Sequence, residues 1–260
     1  MPENPSDSRL RTVLANRADV LRTLLDGPAT KPELVDSLDA ARSTIDRAIS
    51  DLTDVGCIEA TRGQYRTTAA GRTALEEYES YVEGTQAIHR ATDFLNGLTA
   101  NASVPTDLLR GCEITLAEGH APDTALRPSI ELLKQATELR GLAPVVHSLY
   151  PQIIEDRIDD GGLTVEIVAQ RNVVDSLPEL AGGDASHLID QEAARLHTTG
   201  EQLPYSLWMM ELPEGAVAGI TAHEDGRVHG VPINDTEAAL EAAKDQYEVY
   251  KQSATLITSQ

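Results

Sequence analysis

Aromatic residues make up only 3% of the chain, with a single Trp and a single Phe. Lysine is nearly missing: Lys31, Lys134, Lys244 and Lys251 are all there are, and every other basic residue is Arg. Cys57 and Cys112 are the two cysteines, with no paired spacing. That excludes a disulfide framework and suits a reducing interior. No apolar run approaches the ~20 residues a membrane span needs. No basic segment followed by an apolar core opens the chain, so no signal peptide is read and a cytoplasmic setting is expected. Enzyme signatures are lacking too. There is no G-x-S-x-G elbow, no G-x-x-x-x-G-K-[ST] phosphate loop and no G-x-G-x-x-G fingerprint.

Positive charge is scarce as well: 21 Lys and Arg stand against 42 Asp and Glu, a formal charge of −21. The deficit is uneven. Residues 1–72 hold 10 basic and 11 acidic side chains, whereas residues 73–260 hold 11 and 31. An acidic body behind a near-neutral head repels phosphate and would orient any nucleic-acid contact toward the head. An acidic, lysine-poor, aromatic-poor chain resembles the proteins of halophilic archaea, which use surface carboxylates to stay hydrated. In concentrated salt, counterion release drives little DNA binding, so hydrogen bonds and shape fit must supply more of it.

What is present concentrates in Thr30 to Thr67. Leu34, Val35 and Leu38 give a first helix one buried face. Asp39-Ala40-Ala41 is a turn. Ile45, Ile49, Leu52 and Val55 recur at spacings of four, three and three, one stripe of a second helix over Ala41–Val55. Gly56 follows, where a helix end favours positive φ. Cys57–Thr61 and Gln64–Thr67 read as strands around an Arg62-Gly63 turn. Helix, turn, helix, hairpin is the winged form of a DNA reader. The polar side of the second helix carries Arg42, Ser43, Thr44, Arg47 and Ser50. Arg can hydrogen-bond guanine twice, and hydroxyls can take a base or a phosphate. Arg62 and Arg66 on the wing and Lys31 on the preceding helix are candidates for backbone contact. The competing reading is a winged domain that binds protein.

Before this module, Leu10 to Leu25 is helical, as one helix or as two pieces meeting near Asn16, and Asp26-Gly27-Pro28 ends it. After it, Thr68 to Thr99 reads as one long amphipathic helix with a stripe of Tyr78, Tyr81, Ile88, Ala91, Leu95 and Leu98. Such a helix can pair with its copy in a dimer, which would call for a roughly palindromic operator. Asn101–Asp107 is a linker. Then come a strand at Cys112–Ala117, a helix at Pro128–Leu139, a strand at Leu142–His147, a helix at Pro151–Asp160 closed by Gly161-Gly162, and a strand at Leu163–Val168. Helices at Val173–Leu180 and His187–Thr198 flank Gly182-Gly183. A meander follows over Tyr205–Leu212, Ala216–His223 and Arg227–Val231, with turns at Pro213–Gly215 and Glu224–Gly226. Asn234-Asp235-Thr236 caps a final helix to about Ala254.

Three stretches carry a family resemblance: Gly141 to Pro151 (GLAPVVHSLYP), Gly162 to Val168 (GLTVEIV) and Gly226 to Tyr250. They resemble the effector domain of archaeal winged-helix regulators of the methanogenesis-regulator type, distantly similar to TrmB-type regulators. That likeness implies a phospholipase D-like sheet. Phospholipase D chemistry uses a nucleophilic His with Lys two residues later. None of the seven histidines has that Lys, so the resemblance implies a catalytically degenerate sheet. His223, Glu224, Asp225 and His229 cluster, but across a Gly-containing turn and without a zinc spacing, so no metal and no cofactor is expected. Cys57 reads as a small buried residue ahead of a redox sensor.

The expected fold is therefore α+β: a winged helix-turn-helix over 1–68, a linker and dimerisation helix over 69–100, and an α/β sheet domain over 101–260 that senses an effector or a partner. The expected function is a dimeric, sequence-specific DNA-binding transcription regulator and not an enzyme. The alternatives are a protein-interaction scaffold or an enzyme fused to a reader. A small-molecule site at the strand ends would draw on Tyr150, Arg171, Trp208 and His229. Arg171 there is a candidate clamp for an anionic metabolite.

Overall fold

The computed structural model describes residues 5–180, 193–224 and 227–257. The fold is α+β and divides into two compact units, Met1–Thr85 and Gln86–Gln260.

The first unit opens with one helix, α1 (Pro5–Leu25), unbroken at Asn16. Helix α2 (Lys31–Leu38) starts at a capping box: the Thr30 hydroxyl accepts from the Glu33 N–H, and the Glu33 carboxylate accepts from the Thr30 N–H at 2.7 Å. The Thr30 N–H and, second, the Thr30 hydroxyl, which donates to the same carboxylate at 2.8 Å, hold the Glu33 carboxyl below its ordinary range. Asp39, at φ 45°, ends the helix in the left-handed region. Helix α3 (Arg42–Asp54) buries Ile45, Ala48, Ile49 and Leu52. It stops in a Schellman motif, with Cys57 N–H on the Leu52 carbonyl, Gly56 N–H on that of Thr53, and Gly56 at φ +74°. Strands β1 (Ile58–Thr61) and β2 (Gln64–Thr67) form the wing. Ala29, just ahead of α2, exchanges both backbone hydrogen bonds with Tyr65 and adds a third, one-residue rung. Leu21, Leu34, Ile45, Leu52, Ile58 and Leu75 are at most 2% exposed. Each is worth roughly 1.5–3 kcal/mol relative to exposure.

Helix α4 (Ala69–Arg90) begins where the Thr68 hydroxyl accepts from Gly71 N–H and donates to the Gly56 carbonyl. The expected helix to Thr99 is not continuous. Ala91 leaves helical geometry at φ −90°, ψ 7°, and a separate short α5 (Thr92–Asn96) follows. The predicted stripe splits accordingly. Tyr78 packs in the first unit, Ala91, Leu95 and Leu98 pack in the second, and Tyr81 and Ile88 stay exposed.

In the second unit come α6 (Thr106–Leu109), β3 (Glu113–Leu116), a 3₁₀ turn (Pro122–Leu126), α7 (Arg127–Leu133), β4 (Glu138–Ala143), α8 (Leu149–Asp159), β5 (Thr164–Gln170) and α9 (Arg171–Leu180). After them lie β6 (Ala194–Thr199), β7 (Ser206–Leu212), β8 (Gly215–Glu224), β9 (Arg227–Asn234), α10 (Glu237–Lys251) and β10 (Thr255–Leu256). The described strands make one mixed sheet, order β10-β6-β5-β4-β7-β8-β9-β3, in which β4, β5 and β6 run parallel.

Two sequence expectations fail here. The helix stops at Leu133, and Leu139 belongs to β4, which starts at Glu138 between β5 and β7 instead of running Leu142–His147. Residues 194–198 are strand β6, not the end of a helix. The earlier part of that helix, Gly182-Gly183 and the Asp225-Gly226 turn lie outside the described residues.

Side chains alternate across the sheet. Leu142, Val168, Leu207 and Ile220 meet Phe94, Ala239, Ala243 and Tyr247 of α5 and α10 on one face. Leu139, Val165, Trp208 and Met210 meet Leu126, Leu133 and Ile158 of the 3₁₀ turn, α7 and α8 on the other. On the α10 face, Glu166 accepts from Lys251 Nζ at 2.9 Å and lies 3.3 Å from His197 Nε2. Burial alone would raise the Glu166 carboxyl, but these partners bring it below its ordinary range.

Candidate nucleic-acid interface and ligand cavity

The polar face of α3 follows from its buried stripe. With Ile45, Ala48, Ile49 and Leu52 inward, Arg42, Ser43, Thr44, Arg47 and Ser50 are all exposed. The Ala41 N-cap offers no side chain, so the first-turn amides of α3 lack a side-chain acceptor. On the wing, Arg62 and Gly63 both take positive φ, 53° and 82°. This primed turn matches the strand twist and places Arg62 at the tip.

Most cations of this unit fall into two groups. Arg9 is paired with Asp54 at 2.7 Å, Arg17 with Asp51 at 3.0 Å, and Arg22 with Asp19 at 2.6 Å and Glu79 at 2.5 Å. Arg42, Arg47 and Arg62, together with Arg72 on α4, are exposed and have no ion pair among the described residues. Lys31 and Arg66 belong with the first group. Lys31 Nζ sits 2.5 Å from Asp46, which ties α2 to α3 and raises the lysine pKa. Arg66 lies 2.7 Å from Glu59, its cross-strand partner. Cys57 is 1% exposed, and burial pushes its thiol up, away from the reactive thiolate.

The second unit holds a cavity of about 190 Å³ beside the ends of β4 and β5, lined by Leu139, Ile154, Ile158, Ile167, Trp208 and Met210 among others. Tyr150 and Trp208 line it. The Tyr150 hydroxyl is 2.8 Å from Ser129 Oγ, and burial raises its pKa. The Trp208 indole N–H donates to Thr221 Oγ1 at 3.3 Å, and its ring covers Gly219 so closely that a Cβ there would lie 2.1 Å from it. Arg171 and His229 are not among the lining residues. Arg171 is exposed at the start of α9. His229 donates from Nε2 to the Asp93 carbonyl at 2.8 Å and covers Gly97.

Sequence reasoning missed the cavity's most unusual pair. His147 and His223 both line it, their Nε2 atoms 2.9 Å apart, their ring centroids 5.0 Å apart and their planes inclined by 22°. Burial, and secondarily its partner, pushes His223 down to about 4. Burial lowers His147 against an opposing pull from Asp123. No local signal marks the pair, because 76 residues separate its members. Among the described residues, no three His, Cys, Asp or Glu side chains gather to hold a metal, and no helix is long and apolar enough to cross a membrane.

A winged helix-turn-helix followed by a sheet unit with its own cavity is the layout of a transcriptional regulator. The chain belongs to the family of the methanogenesis regulatory protein FilR1, whose middle-domain model matches residues 122–253. A second model, the HVO_A0261 N-terminal domain, matches residues 5–90. No curated protein matches the chain. Among solved structures it is similar to TrmBL2, an archaeal chromatin protein with a novel mode of DNA binding, at 14% identity, 94% coverage of both chains and a TM-score of 0.44. NucT from Helicobacter pylori is 14% identical over 56% of this chain and 98% of that one, with a TM-score of 0.39. Nuc from Salmonella typhimurium, a phospholipase D family member, is 11% identical over 57% and 99%, with a TM-score of 0.38. The family assignment rests on the domain match.

Proposed function

We propose that this regulator reads duplex DNA with α3 and the wing, acts as a dimer, is not an enzyme, and changes its DNA affinity when an effector occupies the sheet unit. The observation that carries the reading is the division of arginines. Arg9, Arg17 and Arg22 of α1 are neutralised by carboxylates, while Arg42 and Arg47 on α3 and Arg62 at the wing tip are exposed and form no ion pair among the described residues, a condition they share with Arg72 on α4. Recognition helices present their N-terminal residues to base edges. Ser43 and Thr44 add hydroxyls, and Lys31 acts by fixing α2 against α3. The dimer reading draws on Tyr81 and Ile88, 68% and 45% exposed. Seven residues apart, they share one face of α4 and present a heptad-like apolar seam. The acidity of the second half supports a halophilic setting.

The test is a promoter-fragment shift with the full chain in molar salt. Arg42→Ala and Arg47→Ala should each weaken a specific shift, by about 1–3 kcal/mol if the arginine contacts a guanine. A shift that survives the double variant overturns the reader. Protein capture without any DNA shift favours the scaffold reading.

A further inference from the structure

The cavity has a selective chemistry. At about 190 Å³ it is somewhat larger than the ~150 Å³ apolar void that stays dry and admits benzene. Its wall is mainly hydrocarbon, and apart from Ser206 on β7 its uncharged polar side chains are already engaged. Tyr150 holds Ser129, Trp208 holds Thr221, and His147 holds His223. No carboxylate lines it. Its one cationic lining residue, Arg195, is exposed and stands between Ala194 and Leu196 on an alternating strand, which turns its side chain away from theirs. A charged ligand would thus be buried without a counter-charge, and a polyol would leave most of its hydroxyls unpaired.

We propose that this cavity is the effector site and that its ligand class is an uncharged, mostly hydrocarbon molecule of one ring or a short branched chain, with at most one hydrogen-bonding oxygen, received by His147 and His223. The inference rests on the regulator reading for its consequence but not for its chemistry. In the neutral pair one Nε2–H donates to the other Nε2. A ligand carbonyl or hydroxyl oxygen can take that N–H in place of the second imidazole, so the pair is a hydrogen-bonding site closed on itself until a ligand opens it.

Toluene, phenol, cyclohexanone, benzoate and glucose are the probes, with binding to the full chain read by calorimetry and ligand-observed NMR. The three neutral apolar probes should bind roughly a hundredfold more tightly than benzoate or glucose. Ile154→Trp, which fills the cavity from α8, should abolish their binding. Ala194→Phe does the same from β6 if the first variant fails to fold. His223→Phe should cost phenol and cyclohexanone roughly tenfold and leave toluene unchanged. Equal or tighter binding of benzoate or glucose overturns the ligand class. No binding of any neutral probe to folded wild-type chain overturns the site. The promoter shift, repeated with each probe, separates the two readings. Cavity binding that leaves the shift unaltered supports the ligand class and refutes effector control. A shift that responds to a probe still bound by both filled variants refutes this site alone.

Discussion

Burial of His223, and secondarily its contact with His147, should make the sheet unit sensitive to mild acid. An unfolded chain protonates His223 near the ordinary value of 6.5, whereas the folded chain resists until about 4. Between those values the unfolded state binds more protons, so stability is complete above 6.5 and is lost as pH falls toward 4. Between pH 7.5 and 5 this difference amounts to about 2 kcal/mol from His223. His147 is lowered for the same main reason, burial, and acts in the same direction. Glu166 is held below the usual carboxylate range, so its contribution persists through this window and fades only at lower pH. The sole tryptophan, Trp208, lines the same cavity and is 7% exposed, so its emission follows the sheet unit and not the reader. Urea unfolding followed by Trp208 fluorescence, at constant high salt to screen surface carboxylates, should show the loss in wild type. His223→Gln should remove most of the slope between pH 6.5 and 5. Equal wild-type stability at pH 7.5 and 5, or an unchanged slope in His223→Gln, refutes the reasoning.

Two further perturbations probe packing and assembly. Gly219→Ala sets a methyl 2.1 Å from the Trp208 ring, which must move. A loss of about 1–3 kcal/mol with a shifted Trp208 emission is expected, and unchanged emission contradicts the stacking. Tyr81→Glu combined with Ile88→Glu should halve the solution mass seen by light scattering without altering the unfolding of either unit. A mass that stays dimeric rules out the α4 seam.

The reader was legible because its signals are local. The stripe at Ile45, Ile49 and Leu52, the stop at Gly56 and the primed turn at Arg62-Gly63 each lie within a few residues of what they determine. The Ala29 rung, made by pairing with Tyr65, escaped. The sheet unit was harder to read. The identity of β4 comes from partners 26 and 73 residues away, such as Val165 and Glu211, so Leu139 could pass for the last residue of a helix. The strand-end rule placed Tyr150 and Trp208 on the cavity wall but gave no way to tell that His229 faces Asp93 and Gly97 instead. Nor could it tell which charges would be neutralised. Lys31 looks free in sequence, and only the approach of α2 to α3 commits it to Asp46.

The wing tip holds a residue type ill suited to its backbone. At φ 53°, Arg62 occupies a region that costs most side chains about 1 kcal/mol and that Asn or Gly tolerates easily. Arg62→Asn should therefore make the hairpin more resistant to melting while weakening its hold on duplex, so that robustness and recognition move in opposite directions at one position. A variant selected for heat tolerance alone would drift toward losing the cation that the proposed DNA contact needs at the wing tip.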